Sequence, residues 1–169
     1  QPGGEKLPWG VDRIDADRVW DANGDMAVDP GAITGSGIKV GILDTGIDID
    51  HPDLMANFKG GTNTLDGQDP NYLDDRKGHG TNIAGVIAAI DNNVGVIGVG
   101  PGIWLYAVKI YEEGVGTWHL SDLYQGMQWC ILGPDGNPGT GDEMQVINMS
   151  FGIEQSEDAQ GQPLPYDDP

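Results

Sequence analysis

A chain of 169 residues, 38% hydrophobic and 21% charged, is the size of one domain that buries a core of its own. Its 27 Asp and Glu stand against 8 Lys and Arg, a net charge of −19 that repels phosphate backbones and excludes nucleic acid as a partner. No apolar run approaches the ~20 residues that a bilayer span requires, so no membrane partner is expected.

The first residues, Gln1-Pro2-Gly3-Gly4, lack an initiator Met, a basic flank and the apolar run of a leader. They read as the start of a processed mature chain, which points outside the cell; a cytoplasmic location is the alternative. Val11 to Ala22 sets Val11, Ile14 and Val19 among charged residues at a weak helical period. After Gly35-Ser36-Gly37, Ile38 to Leu43 is a nearly continuous apolar run, the pattern of a strand covered on both faces, and Asp44 follows at once. Gly60 to Gly78 has no period and reads as an exposed connection. Within it Asp66, Asp69, Asp74 and Asp75 match no EF-hand spacing and read as a solvated acidic loop. His79 to Asp91 reads as a helix entered through glycines, with Ile83, Val86, Ile87 and Ile90 as its apolar stripe. Ile103 to Ile110 is a second strand, Ser121 to Leu132 a second helix capped by Ser121, and Gln145 to Phe151 a third strand. Cys130, the single cysteine, lies between Trp129 and Ile131 on that second helix and reads as a buried, inert thiol. Residues 153–169 form an acidic, Gln- and Pro-containing loop or tail after a first unit of residues 1–152.

The order β-α-β-α-β predicts an α/β fold, a parallel sheet with helices on both faces, whose functional groups gather at the carboxyl edge of the strands. Asp44 ends the first strand and His79 opens the helix, so the two can meet at that edge. Peptide acyl transfer needs a nucleophile, a base to take its proton and a carboxylate to fix the tautomer of the base. Gly78 and Gly80 remove side chains on both sides of His79 and permit close approach of backbone or substrate. Asp44-Thr45-Gly46 also matches the loop of aspartic proteases, but that chemistry needs a second copy of the motif or a symmetric dimer, and no second Asp-Thr/Ser-Gly occurs.

The segments Ile42-Leu43-Asp44-Thr45-Gly46-Ile47-Asp48 and Gly78-His79-Gly80-Thr81-Asn82-Ile83-Ala84-Gly85 resemble the aspartate and histidine motifs of the subtilisin-like serine proteases, the subtilases. The resemblance runs from Glu5 to Gly152. It implies the first half of that α/β fold and a serine endopeptidase in which Asp44 orients His79. The serine motif of the family, Gly-Thr-Ser-Met-Ala, does not occur here, so the resemblance makes the C-terminal half of the same protease a partner, alongside a polypeptide substrate. A truncated, non-catalytic module that binds peptides or a partner is the alternative. Asn82 departs from the family, which usually has a second histidine there.

By the same resemblance Ser150, Phe151 and Gly152 form one side of a peptide groove and Gly114, Val115 and Gly116 the other, gripping an extended substrate through main-chain hydrogen bonds. Without it, Gly114 to Gly116 reads as a flexible turn and Ser150 as a strand-end hydroxyl. The segment from Ile90 to Val96 resembles the calcium loop of the family. That likeness implies Ca2+ held by Glu5, Asp53 and Asn92 and by the carbonyls of Ile90, Val94 and Val96, with Glu5 where the family often has a neutral Gln. A plain helix-ending turn is the other reading of this loop.

Overall fold

The computed structural model describes residues 4–112, 114 and 119–152. Two short helices, α1 (Trp9–Arg13) and α2 (Asp17–Trp20), replace the single weak helix expected from Val11 to Ala22. They bury Val11 and Trp20 around Ile97. The sheet has four parallel strands in the order β2-β3-β1-β4, with β1 at Lys39–Asp44, β2 at Phe58–Asn63, β3 at Trp104–Lys109 and β4 at Val146–Asn148. Helix α3 (His79–Ala88) lies between β2 and β3 in the chain, and α4 (Leu120–Leu132) between β3 and β4.

Strand alternation sorts the core into two layers. Val40, Ile42, Leu105 and Ala107 pack with Ala84 and Ala88 of α3. Leu43, Val108 and Ile110 pack with Cys130 of α4. The helices therefore cover opposite faces, as expected. Both crossovers, β2 to β3 and β3 to β4, step across the sheet in the same direction, yet their helices lie on opposite faces. One of the two connections is thus left-handed, against the strong right-handed rule.

Several expectations change. Strand β2 lies in a region read partly as an exposed connection. Its sequence, Phe-Lys-Gly-Gly-Thr-Asn, shows no apolar alternation, and at Gly61 the backbone lies too close to β3 for any side chain: a Cβ there would lie 2.0 Å from the Ala107 carbonyl oxygen. The stripe predicted for α3 is also shifted. Its buried residues are Gly80, Ala84 and Ala88, while Ile83 and Ile87 pack at the flank, Val86 is exposed and Ile90 lies beyond the helix. Small residues let α3 sit close to the sheet. Helix α4 begins at Leu120 rather than at a Ser121 cap; His119 is its N-cap, and the Asp122 carboxylate accepts the His119 N–H at 2.7 Å. The third strand is only three residues long and ends before Met149. Cys130 is buried as expected, and burial pushes its thiol up to about 12. The expected tail, 153–169, lies outside the described residues.

Candidate active site

Asp44 is in phase with Val40 and Ile42, the residues of β1 that face α3. Its carboxylate is therefore delivered to the carboxyl edge of the sheet on the side where α3 begins. His79, the first residue of α3, meets it there. Nδ1 of His79 lies 2.8 Å from Oδ1 and 2.9 Å from Oδ2 of Asp44. Asp44 is 4% exposed, whereas the His79 side chain is about half exposed. A buried carboxylate needs donors, and the Thr45 N–H donates to Oδ1 at 2.7 Å, with the Thr45 hydroxyl at 3.2 Å. The Gly80 N–H donates in turn to that hydroxyl at 3.0 Å, tying the helix start to the strand end. A Cβ on Gly80 would lie 2.2 Å from the Gly46 carbonyl oxygen and 3.1 Å from Cβ of Asp44, so only glycine permits this approach.

The loop before His79 is built into the site. Asp75 was expected to be solvated; it is instead half-buried and caps α3, its Oδ2 accepting the Thr81 N–H at 2.8 Å and the Thr81 hydroxyl at 2.7 Å. Its Oδ1 accepts the N–H groups of Gly78 at 2.8 Å and Lys77 at 3.1 Å. Burial alone would raise this carboxyl, but the bonds from Thr81, Thr45 and Gly78 outweigh it and hold Asp75 below its ordinary 3.8. Lys109, the β3 partner of Asp44 in the sheet register, is fully buried; its Nζ donates to the Asp74 carbonyl at 2.5 Å and pairs with Glu112 at 3.7 Å. Burial lowers its pKa, with Glu112, Asp75 and Asp74 opposing.

The predicted substrate edges lie on either side of β1. Asn148 of β4 is in register with Ile42, so the chain continues through Ser150 to Gly152 beside the end of β1. Ser150 exchanges hydrogen bonds with Asn148. Gly114 stands on the chain leaving β3, with a left-handed φ of 84°. Val115 and Gly116 lie outside the described residues.

Beyond the far end of α3, the expected cation ligands converge. The Asn92 N–H donates to Glu5 at 3.1 Å, the Asn92 amide to Asp53 at 3.3 Å, and the Val96 N–H to the other Asp53 oxygen at 3.1 Å. Lys6 bridges to Val96 in parallel and brings the N-terminal segment alongside the loop. Burial pushes Glu5 up to about 7; the Asn92 N–H opposes this and the Asp91 and Asp53 carboxylates add to it. Among the described residues, the carbonyls of Ile90, Val94 and Val96 accept no hydrogen bond. The Asn92 amide oxygen accepts from the Val94 N–H at 2.8 Å and keeps a second lone pair.

A profile of the subtilase family matches residues 35–166. The chain belongs to the subtilase family. It is 40% identical over 148 residues to Subtilisin Savinase of Lederbergia lenta, a match covering 88% of this chain and 46% of that relative. The Alkaline protease of Alkalihalobacillus alcalophilus is also 40% identical over 148 residues, with 33% of its length covered. Subtilisin E of Bacillus subtilis (strain 168) is 36% identical over 148 residues, again with 33% of its length covered. The chain thus spans between a third and a half of the length of these relatives.

In this subtilase chain, sequence reading missed Asp75, Lys109 and Asp91. Asp75 stands four residues before His79, at the distance of a capping acid, and that spacing was its available signal. Lys109 fell inside the strand expected from Ile103 to Ile110 and was given no role. Asp91 crowds Glu5 while accepting the Val28 N–H at 2.8 Å. Asn82 is exposed on α3, on an open apolar groove that runs past Val86 to Val11 and Ile14. No helix among the described residues is long and apolar enough to cross a membrane.

Proposed function

We propose that the longer protein containing this chain hydrolyses peptide bonds as a serine endopeptidase, with Asp44 orienting His79 and His79 acting as general base and then general acid. The contact of both Asp44 oxygens with Nδ1 of His79, at 2.8 and 2.9 Å, carries this reading. With Nδ1–H donated to the carboxylate, Nε2 keeps its lone pair, and it makes no hydrogen bond among the described residues. Nε2 takes the proton of a serine hydroxyl as the oxygen attacks the peptide carbonyl, the buried carboxylate stabilises the imidazolium, and the same proton passes to the leaving amine. The serine and the oxyanion donors come from the remainder of the longer protein. The open apolar groove along α3, which starts at Gly78 beside His79, is where that remainder seats. Gly114 to Gly116 and Ser150 to Gly152 form the two edges that grip an extended polypeptide. The enzyme acts outside the cell.

Ca2+ is part of the same reading. Glu5, Asp53 and Asn92, with the carbonyls of Ile90, Val94 and Val96, fit the oxygen-rich coordination of about six to eight ligands that calcium prefers. Bound there, the ion would cross-link the N-terminal segment to the loop after α3.

The test is covalent labelling of the complete protein with a fluorophosphonate probe, followed by peptide mapping. One serine outside these 169 residues should be labelled, and peptide hydrolysis should fall by about a millionfold in His79→Ala and on the order of ten-thousandfold in Asp44→Ala. These sizes are the ones known for subtilisin itself, a member of this family, and are carried over from it. A folded complete protein that neither reacts nor hydrolyses peptides is a binding module instead.

A further inference from the structure

Basic residues are the scarce charge of this chain, 8 in all, and three of them meet beside the candidate site. Lys109 is buried and committed to Asp74 and Glu112. Arg76 shares the Glu112 carboxylate at 3.5 Å, but its side chain is 71% exposed. Lys77 is exposed and makes no ion pair among the described residues. Its ammonium lies 4.9 Å from the centre of the Tyr111 ring.

Tyr111 follows Lys109, the register partner of Asp44, by two residues. Lys77 and Tyr111 thus bridge the loop that ends in His79 to the chain that leads to Gly114, on the β3 side of the site. An ammonium resting on an aromatic face is held in place while its donors remain available. Among the described residues, no carboxylate pairs with Lys77. Asp44 and Asp75 spend their oxygens on His79, Thr45 and the cap of α3, and Glu112 is buried against Lys109 and Arg76. Asp74 is exposed but pairs with neither cation. An extended substrate advances at most about 3.6 Å per residue, and only Gly78 separates Lys77 from His79, so the rim reaches only the residues next to the bond being cut.

Resting on the protease reading above, we propose that Lys77, seated on Tyr111 with Arg76 beside it, determines specificity: it favours peptides carrying Asp or Glu within two residues of the scissile bond and disfavours Lys or Arg there. Attraction in one case and repulsion in the other, each the size of an exposed ion pair, give about a tenfold ratio of kcat/KM at low salt, and the ratio shrinks as salt screens it.

The experiment uses the complete protease and a peptide set in which each of the two positions on either side of the cleaved bond carries Asp, Ala or Lys, with cleavage mapped by mass spectrometry. The expected result is an Asp-over-Lys ratio of about ten at one position, abolished in Lys77→Gln and inverted in Lys77→Glu. Lys59→Glu, the same charge change at the opposite end of the sheet, should leave the ratio where it was. A ratio near one in the wild type, or one that Lys77→Glu leaves unchanged, overturns the proposal while the protease reading stands. No cleavage of any peptide, including the Ala series, overturns both.

Discussion

The two ends of α3 are built on opposite principles. At its start, the charged and polar atoms answer one another within the chain: Asp44 holds His79, Thr45 links Asp44 to Gly80, and Asp75 caps the helix. Beyond its end, Glu5, Asp53 and Asp91 crowd together, and three neighbouring carbonyls accept no hydrogen bond among the described residues. The first arrangement is preorganised by covalent connectivity and hydrogen bonds alone. In the second, burial first and the neighbouring Asp91 and Asp53 carboxylates after it push Glu5 up to about 7, and the proposed calcium would relieve that crowding. On the proposed function, changes at the helix start should strike catalysis, and changes beyond its end should strike stability through the proposed calcium.

Gly80→Ala gives the sharpest break at the catalytic end. The new Cβ overlaps the Gly46 carbonyl oxygen at 2.2 Å, a backbone atom that cannot swing away, so α3 must retreat and carry His79 with it. A misplacement of about 1 Å costs on the order of a hundredfold in turnover, and the overpacking costs about 1–3 kcal/mol of stability. Peptide hydrolysis by the complete enzyme should fall by that factor while circular dichroism shows a native fold. Activity within a few-fold of wild type would mean that the Asp44 and His79 contact is not the determinant of rate.

The same contrast explains what the sequence made legible. Asp44 and His79 could be read because each sits at a change of pattern, an acid closing an apolar run and a histidine framed by glycines. The parallel sheet followed from the alternation of strands and helices. Strand β2 was illegible because it carries no apolar alternation, and at Gly61 close backbone approach leaves no room for a side chain. The core face of α3 was misread for a related reason: Ala84 and Ala88 bury completely but weigh little in an apolar pattern beside Ile83 and Val86. Asp75 was hidden among acids that share its composition and differ only in what they touch. Asp69, in the same loop, is exposed.

At the far end the expected effect is on stability. Calcium that binds only the folded state stabilises by about 2.7 kcal/mol at a hundredfold excess over its dissociation constant. Chelation of the complete protein should lower Tm accordingly and quicken proteolysis near the loop after Ile90. Asp53→Ala should abolish the response to added calcium without touching the hydrogen bond of His79. A Tm indifferent to calcium in the wild-type protein would remove the ion from this loop and leave a plain turn.

The smallest effect returns to the catalytic end and uses pH. Asp75 has a folded pKa below its ordinary 3.8, so its ionised form is favoured by folding. Its contribution is fully present above about 3.8, and it is lost as pH falls through the lower folded value. Asp75→Asn keeps one acceptor oxygen, for either the Gly78 or the Thr81 N–H, sets an NH2 donor against the other, and removes the negative charge at the start of α3. Loss of a helix cap costs about 1 kcal/mol, so the variant should melt lower at neutral pH and approach wild type as the pH drops below 3.8. Thermal unfolding of both proteins across that acid limb measures the convergence. Parallel curves would show that ionisation of Asp75 adds nothing to stability, whereas convergence would show that the ionised carboxylate stabilises the first turn of α3, the turn that carries His79.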